Sequence, residues 1–335
     1  MNNIKSSKKE IIKEIEEKRQ SLVIAYITGD KANFGTKIAD DVIPFFYKLL
    51  KDIGKVKKLD LFLYSRGGSV LTPWRLVNLL REFTDYFSIL IPFRAHSAAT
   101  LIALGADEIV MTPLAELSPI DPSITTPFNP KSDLSQNKPI PISVEDIINY
   151  FELARKELKI EQATDLAEIF LKLADKLDPI ALGRIYRSYL QIRHMASQLM
   201  TLSGYDNMEN INKEDIIEKL TQKLYSHESI ICRREAKEYG LRVVKAEEEV
   251  AGKLQDLLWG LYAEFSRELQ LDIPFNPQKK YEEENISQFN LPRAVIENKL
   301  VRYVFSSNIS IHKEKIDQHI NYNINVGDLG WIFEK

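Results

Sequence analysis

Between residues 58 and 111 two apolar stretches each end in a turn of small residues and are each followed by a helical run, and this repeat constrains the fold more than any other part of the chain. The first stretch, Leu59-Asp-Leu-Phe-Leu-Tyr64, alternates over half its length and ends in Ser65-Arg-Gly-Gly-Ser69; residues 70–83 then carry apolar side chains at helical period. The second, residues 86–92, leads into Arg94-Ala-His-Ser-Ala-Ala-Thr100, a small-residue helix over 98–105 and a third apolar run at 107–111. Strands alternating with helices need right-handed crossovers and produce a mostly parallel sheet. Residues 22–28 add a strand before this block, and 36–53 an amphipathic helix interrupted by Pro44, so the N-terminal half reads as α/β.

The turns carry the chemistry. Gly67 and Gly68 give access to positive φ and let backbone N–H groups approach a ligand closely, as an oxyanion hole requires. Ser97 opens a helix, where unpaired N–H groups and the positive dipole end favour developing negative charge; the Ala98 N–H joins the expected donors. Each turn alone also fits a bland role, the first an ordinary βα connection and the second an N-cap.

Taken in order, these motifs resemble the Clp and crotonase superfamily, most closely its signal peptide peptidase A branch, and within it the serine dehydrogenase proteinase family. The resemblance rests on Tyr64-Ser-Arg-Gly-Gly68, on residues 95–111, on Leu117-Ser-Pro-Ile-Asp-Pro122, and on Ser226-His-Glu-Ser-Ile230 with residues 234–241, so it spans about residues 20–245. It implies a Clp/crotonase-like spiral of ββα-type units, cofactor-free and metal-free serine peptidase chemistry through a Ser97 acyl-enzyme, a polypeptide substrate and homo-oligomeric assembly.

The general base is left open. Clp peptidases place a His in the loop after the strand that follows the nucleophile helix; here that loop carries Asp121, and no His lies between Ser97 and His194. Signal peptide peptidase A relatives use a Ser-Lys dyad, for which Lys131 and Lys138 stand at comparable positions. Lys138 is the expected base and His227 its alternative, since a desolvated Lys with a lowered pKa accepts a proton; His96, adjacent to Ser97, points a different way. Arg66 replaces the Pro common in relatives and would bind a substrate carboxylate or phosphate or make a surface ion pair. Two other readings share the fold: an acyl-CoA enzyme of crotonase type, needing a carboxylate base and an adenine pocket, and an assembly module without a functional base.

Composition sets outer limits. With 335 residues and 44% hydrophobic content the chain can build a large core, and a net charge of −3 gives no reason to expect a nucleic-acid partner. A single cysteine, Cys232, excludes an internal disulfide and a multi-cysteine metal site. No window reaches the roughly 18 apolar residues of a membrane span, and a cytoplasmic location is expected.

Residues 1–20 read as a charged leader helix, 21–245 as the peptidase-like domain and 246–335 as a C-terminal helix with a small β appendage. Within these, 117–141 is a Pro-rich loop suited to border a groove, helices are expected at 143–177, 179–203, 213–226, 233–239 and 246–269, and strands at 293–296 and 300–306.

Overall fold

In the computed structural model residues 7–120, 123, 124, 129, 142–209, 211–221, 229–316 and 319–334 are described. The elements, in order, are α1 (Lys8–Arg19), β1 (Leu22–Thr28), α2 (Ile43–Ile53), β2 (Val56–Tyr64), α3 (Thr72–Phe83), β3 (Thr84–Ile91), β4 (Arg94–Ala95), α4 (Ala98–Leu104), β5 (Glu108–Met111), β6 (Glu116–Leu117), β7 (Ser123–Ile124), β8 (Ile142–Ser143), α5 (Val144–Glu152), α6 (Ala163–Ala174), α7 (Pro179–Leu202), α8 (Lys213–Thr221), β9 (Ile231–Cys232), α9 (Arg233–Glu238), β10 (Val243–Lys245), α10 (Leu254–Leu269), β11 (Gln288–Glu297), β12 (Arg302–Ile316) and β13 (His319–Glu334).

Eight of the described strands form one sheet in the order β10-β5-β3-β2-β1-β11-β12-β13. The first five run parallel, and β11, β12 and β13 continue from β1 as antiparallel neighbours. The fold is thus the expected α/β one with a mostly parallel sheet. The strands expected at 293–296 and 300–306 are present but longer, and they extend the main sheet through β1. Neither β10 nor β13 stood out in the sequence.

Both faces of the parallel strands are buried, which explains their nearly continuous apolar runs. One face packs Ile24, Tyr26, Leu61, Leu63, Ile89 and Ile91 against α2, α3, α4 and α7. The other packs Val23, Ala25, Ile27, Phe62, Leu90 and Val110 against α1 and α10. Every residue of α4 is buried, and its small side chains let it lie close to α3: a methyl on Gly105, at its C-terminal end, would fall 2.8 Å from Val77 Cγ1. Ile102 is fully buried there, so Ile102→Ala would cost about 2–5 kcal/mol.

Several helices depart from their expected bounds for local reasons. Ser7 and Glu10 form a capping box that starts α1. Pro44 does not interrupt α2 but sits in its first turn, where the missing N–H costs nothing, while the upstream segment is drawn into pairing by Ile38. The run over 143–177 breaks into α5, a π-helical turn at Leu153–Glu157, and α6, with Lys159 at φ 57° between them. Ahead of α10, Ala251 at φ 51° kinks the chain.

Candidate functional site

The two small-residue turns, thirty positions apart in sequence, meet at the C-terminal ends of β2 and β3. After β2 the chain pairs Ser65 with Ala95 and Gly68 with Ile38. After β3, which stops at Ile91, the short strand β4 intervenes before Ser97, so the expected direct run from strand to serine is corrected: β4 pairs with β6, which pairs with β9, in a second small sheet. Gly67 has φ 103°, and a methyl there would lie 2.8 Å from Ser97 Cβ and 3.3 Å from its Oγ. Only glycine allows the turn to approach the serine this closely.

Ser97 is not an ordinary N-cap. It adopts φ 51° and ψ −109°, a region that costs a non-glycine residue of order 1–3 kcal/mol, and its hydroxyl makes no capping hydrogen bond. Its own N–H donates to Ser118 Oγ at 2.8 Å, and Ser118 Oγ in turn donates to Pro119 O. Thr100 Oγ1 donates to Ala95 O and Ser118 O, tying α4 to the same segment. Among the described residues no side chain bonds the Ser97 hydroxyl.

The expected donors divide. The Gly67 N–H, expected as an oxyanion donor, donates to Ser65 Oγ at 3.0 Å in this structure. The N–H groups of Gly68 and Ala98 have no acceptor among the described residues. The Gly68 turn is rigid, since Ile38 N–H donates to Gly67 O and Ser69 N–H to Ile38 O.

Behind these turns lies a charged network. The Asp30 carboxylate, 1% exposed, accepts from Tyr64 Oη at 2.6 Å, Arg66 Nε at 3.0 Å, Arg94 Nη1 at 3.3 Å and the Asp272 N–H at 3.0 Å. Burial alone would raise its pKa, but the Tyr64 and Asp272 hydrogen bonds and the Arg66 charge outweigh that and hold it below the usual carboxylate range. Asp272 accepts from Arg66 and Arg94, and Arg94 also reaches Glu116, which holds His96 Nε2 at 3.1 Å. Burial pushes the His96 pKa down against the opposing pull of Glu116.

Of the sequence-derived residues, Ser97, Gly67, Gly68 and Ala98 come together. Asp121, Lys131, Lys138 and His227 lie outside the described residues, as does most of the Pro-rich loop. Asp30, Ser65, Glu116 and Ser118 were missed; Ser118 stands inside a recognised motif, while Asp30 follows the first strand as any loop residue would and reaches the level of the Gly67–Gly68 turn only through the pairing of β1 with β2. Among the described residues no group of acidic, His or Cys side chains is arranged to hold a metal, and no helix is long and apolar enough to cross a membrane.

Residues 1–138 match the model of the ClpP-like SDH-type serine proteinases, the family that the motifs resemble. An uncharacterized protein of Methanocaldococcus jannaschii is 26% identical over 70% of this chain and 72% of its own. A membrane-bound stomatin-specific protease is similar in structure at a TM-score of 0.37 and 16% identity, over 67% of this chain and 79% of that one. ClpP1 from Listeria monocytogenes is similar at 0.35 and 14%, over 70% of this chain and 95% of that one.

Proposed function

We propose that this ClpP-like chain is a serine endopeptidase in which Ser97 forms an acyl-enzyme and the Gly68 and Ala98 N–H groups receive the oxyanion. The observation that carries this reading is the state of Ser97: a hydroxyl at a helix start, held at positive φ, not used as a cap, and faced by a glycine turn whose Gly68 N–H has no acceptor among the described residues. Among the described residues these groups have no partners, which supports the reading because a tetrahedral intermediate needs free donors there. Ser97 Oγ adds to the peptide carbonyl while its proton passes to the base; collapse releases the amine, which takes that proton, and water repeats the sequence on the ester. The base is Lys138, with His227 as the alternative.

A fluorophosphonate probe tests this. The wild type labels and Ser97→Ala does not. Lys138→Met suppresses labelling, whose rate in the wild type rises with pH as the ammonium loses its proton. Loss in His227→Gln with retention in Lys138→Met would transfer the base role to His227, and absence of wild-type labelling at every pH would sink the peptidase reading.

The protein also self-associates in this reading. Helix α6 buries none of its residues although it is largely apolar, and Phe170, Leu171, Tyr186 and Leu190 are exposed along α6 and α7. Light scattering that gives a monomer at micromolar concentration would refute assembly.

A further inference from the structure

Building on the peptidase reading above, we propose that Asp30 is a positioning residue that locks the Gly67–Gly68 turn and the Ser97 turn into one register. Its four hydrogen-bond donors come from three separate segments. Tyr64 and Arg66 flank Ser65 on the approach to the glycine pair, Arg94 lies three residues before Ser97, and the Asp272 N–H comes from the chain leaving α10. A buried carboxylate with charged donors on several sides defines geometry more sharply than any one neutral bond, because each donor displaced leaves an uncompensated charge.

Asp272 closes the ring. Its two carboxylate oxygens take Arg66 Nη2 at 2.8 Å and Arg94 Nη1 at 2.6 Å, and its backbone is held at φ 57° by the bond to Asp30. Both guanidinium groups are therefore spent on Asp30, Asp272 and Glu116, with three carboxylates for two arginines. Arg66, half-exposed beside the glycine turn, is thereby committed to holding that turn and has no charge to spare for a substrate carboxylate.

The chemical consequence follows from how steeply catalysis depends on placement. The Gly68 N–H stabilises an oxyanion only if it stays aligned with Ser97, and a shift of about 1 Å costs on the order of 10²-fold in rate. Substrate binding does not depend on that alignment. Loss of Asp30 should then lower the maximal rate and spare affinity.

The test compares full-length wild type, Asp30→Asn and Asp272→Asn by fluorophosphonate labelling over a probe concentration series, normalised to the folded fraction, with amide hydrogen exchange followed at residues 67–69. In Asp30→Asn the maximal labelling rate should fall by roughly 10–100-fold with the half-saturating concentration unchanged, while exchange at 67–69 speeds up and that of the β2 core does not. Asp272→Asn, whose side chain is 42% exposed, should show the same pattern more weakly, and it carries the test if Asp30→Asn fails to fold. Unchanged labelling and exchange in the folding variants overturns the proposal, as does a rise in half-saturating concentration at constant maximal rate, which would make the cluster a binding element. If the wild type does not label, the peptidase reading falls and exchange alone decides whether Asp30 holds the turn: unchanged exchange refutes it.

Discussion

Under α1 the parallel strands carry a buried charge that is fully paired, whereas beyond their C-terminal ends a hydroxyl and two N–H groups have no partner among the described residues. Asp60, Ser88 and Glu108 lie in register across β2, β3 and β5 on the face covered by α1. Into that row Arg19 sends its whole guanidinium: Nε to Asp60 at 2.6 Å, Nη2 to Ser88 at 3.0 Å and to Glu108, and Nη1 to Glu249 at 2.9 Å. Burial would lower the Arg19 pKa, but Asp60 and Glu108 outweigh it and raise it. The other end has a comparable network around Asp30, yet that network stops short of Ser97, Gly68 and Ala98. Saturation serves attachment of a helix to a sheet; incomplete saturation, supported from behind, is what the proposed chemistry requires.

The comparison breaks if the two ends respond alike to mutation. The largest expected effect is Arg19→Met, which leaves Asp60, fully buried, without its cation and should cost about 3–5 kcal/mol in urea unfolding. Labelling per folded molecule should stay at the wild-type level, and a matching loss there would show that the ends are coupled. Gly68→Ala should do the reverse. Its methyl would fall 2.1 Å from Ile38 O, so the turn must move, at about 1–3 kcal/mol in stability and about 10²–10³-fold in labelling.

How much of this was legible follows from what kind of signal each part leaves. The β2 and β3 units announced themselves because strand, small-residue turn and helix are contiguous, and Ser97, Gly68 and Ala98 fall inside them. Asp60 interrupting an apolar strand was visible as a half-alternation, but its partner Arg19 lies forty-one positions away, on a helix whose docking no local pattern encodes. Asp30 was invisible for the same reason: it follows the first strand as any loop residue would, and only pairing of β1 beside β2 brings it under Tyr64 and Arg66. The Gly67 N–H looked like a donor to substrate because sequence shows the glycine and not Ser65 Oγ curling back to accept from it. Local chemistry was readable; long-range support was not.

The strain at Ser97 sharpens the contrast further. Neither Ser nor Ala is comfortable at φ 51°, ψ −109°, whereas glycine is, so Ser97→Gly and Ser97→Ala differ chiefly in backbone strain. Both variants should be unlabelled, and the glycine variant should be the more stable by about 1–3 kcal/mol in urea unfolding. Equal stabilities would mean that the turn is relaxed and that the site end stores nothing the other end lacks.

The smallest expected effect concerns pH, through His96. Burial lowers its pKa in the folded protein, with Glu116 opposing and the charges of Arg94 and Arg66 adding to the lowering, while in the unfolded chain it titrates near its ordinary value of about 6.5. The unfolded state therefore binds the proton first as pH falls, and folding stability should decline from about pH 6.5 downward until the folded pKa is passed; above that window the group contributes no slope. The difference in urea midpoint between wild type and His96→Gln isolates this residue from the other histidines and from the carboxylates, whose titration lies lower. A flat difference would remove His96 from the account. Stability that rises as pH falls through the window would mean that Glu116 wins over burial, making His96 a paired cation and the site end as saturated on that side as the row around Arg19.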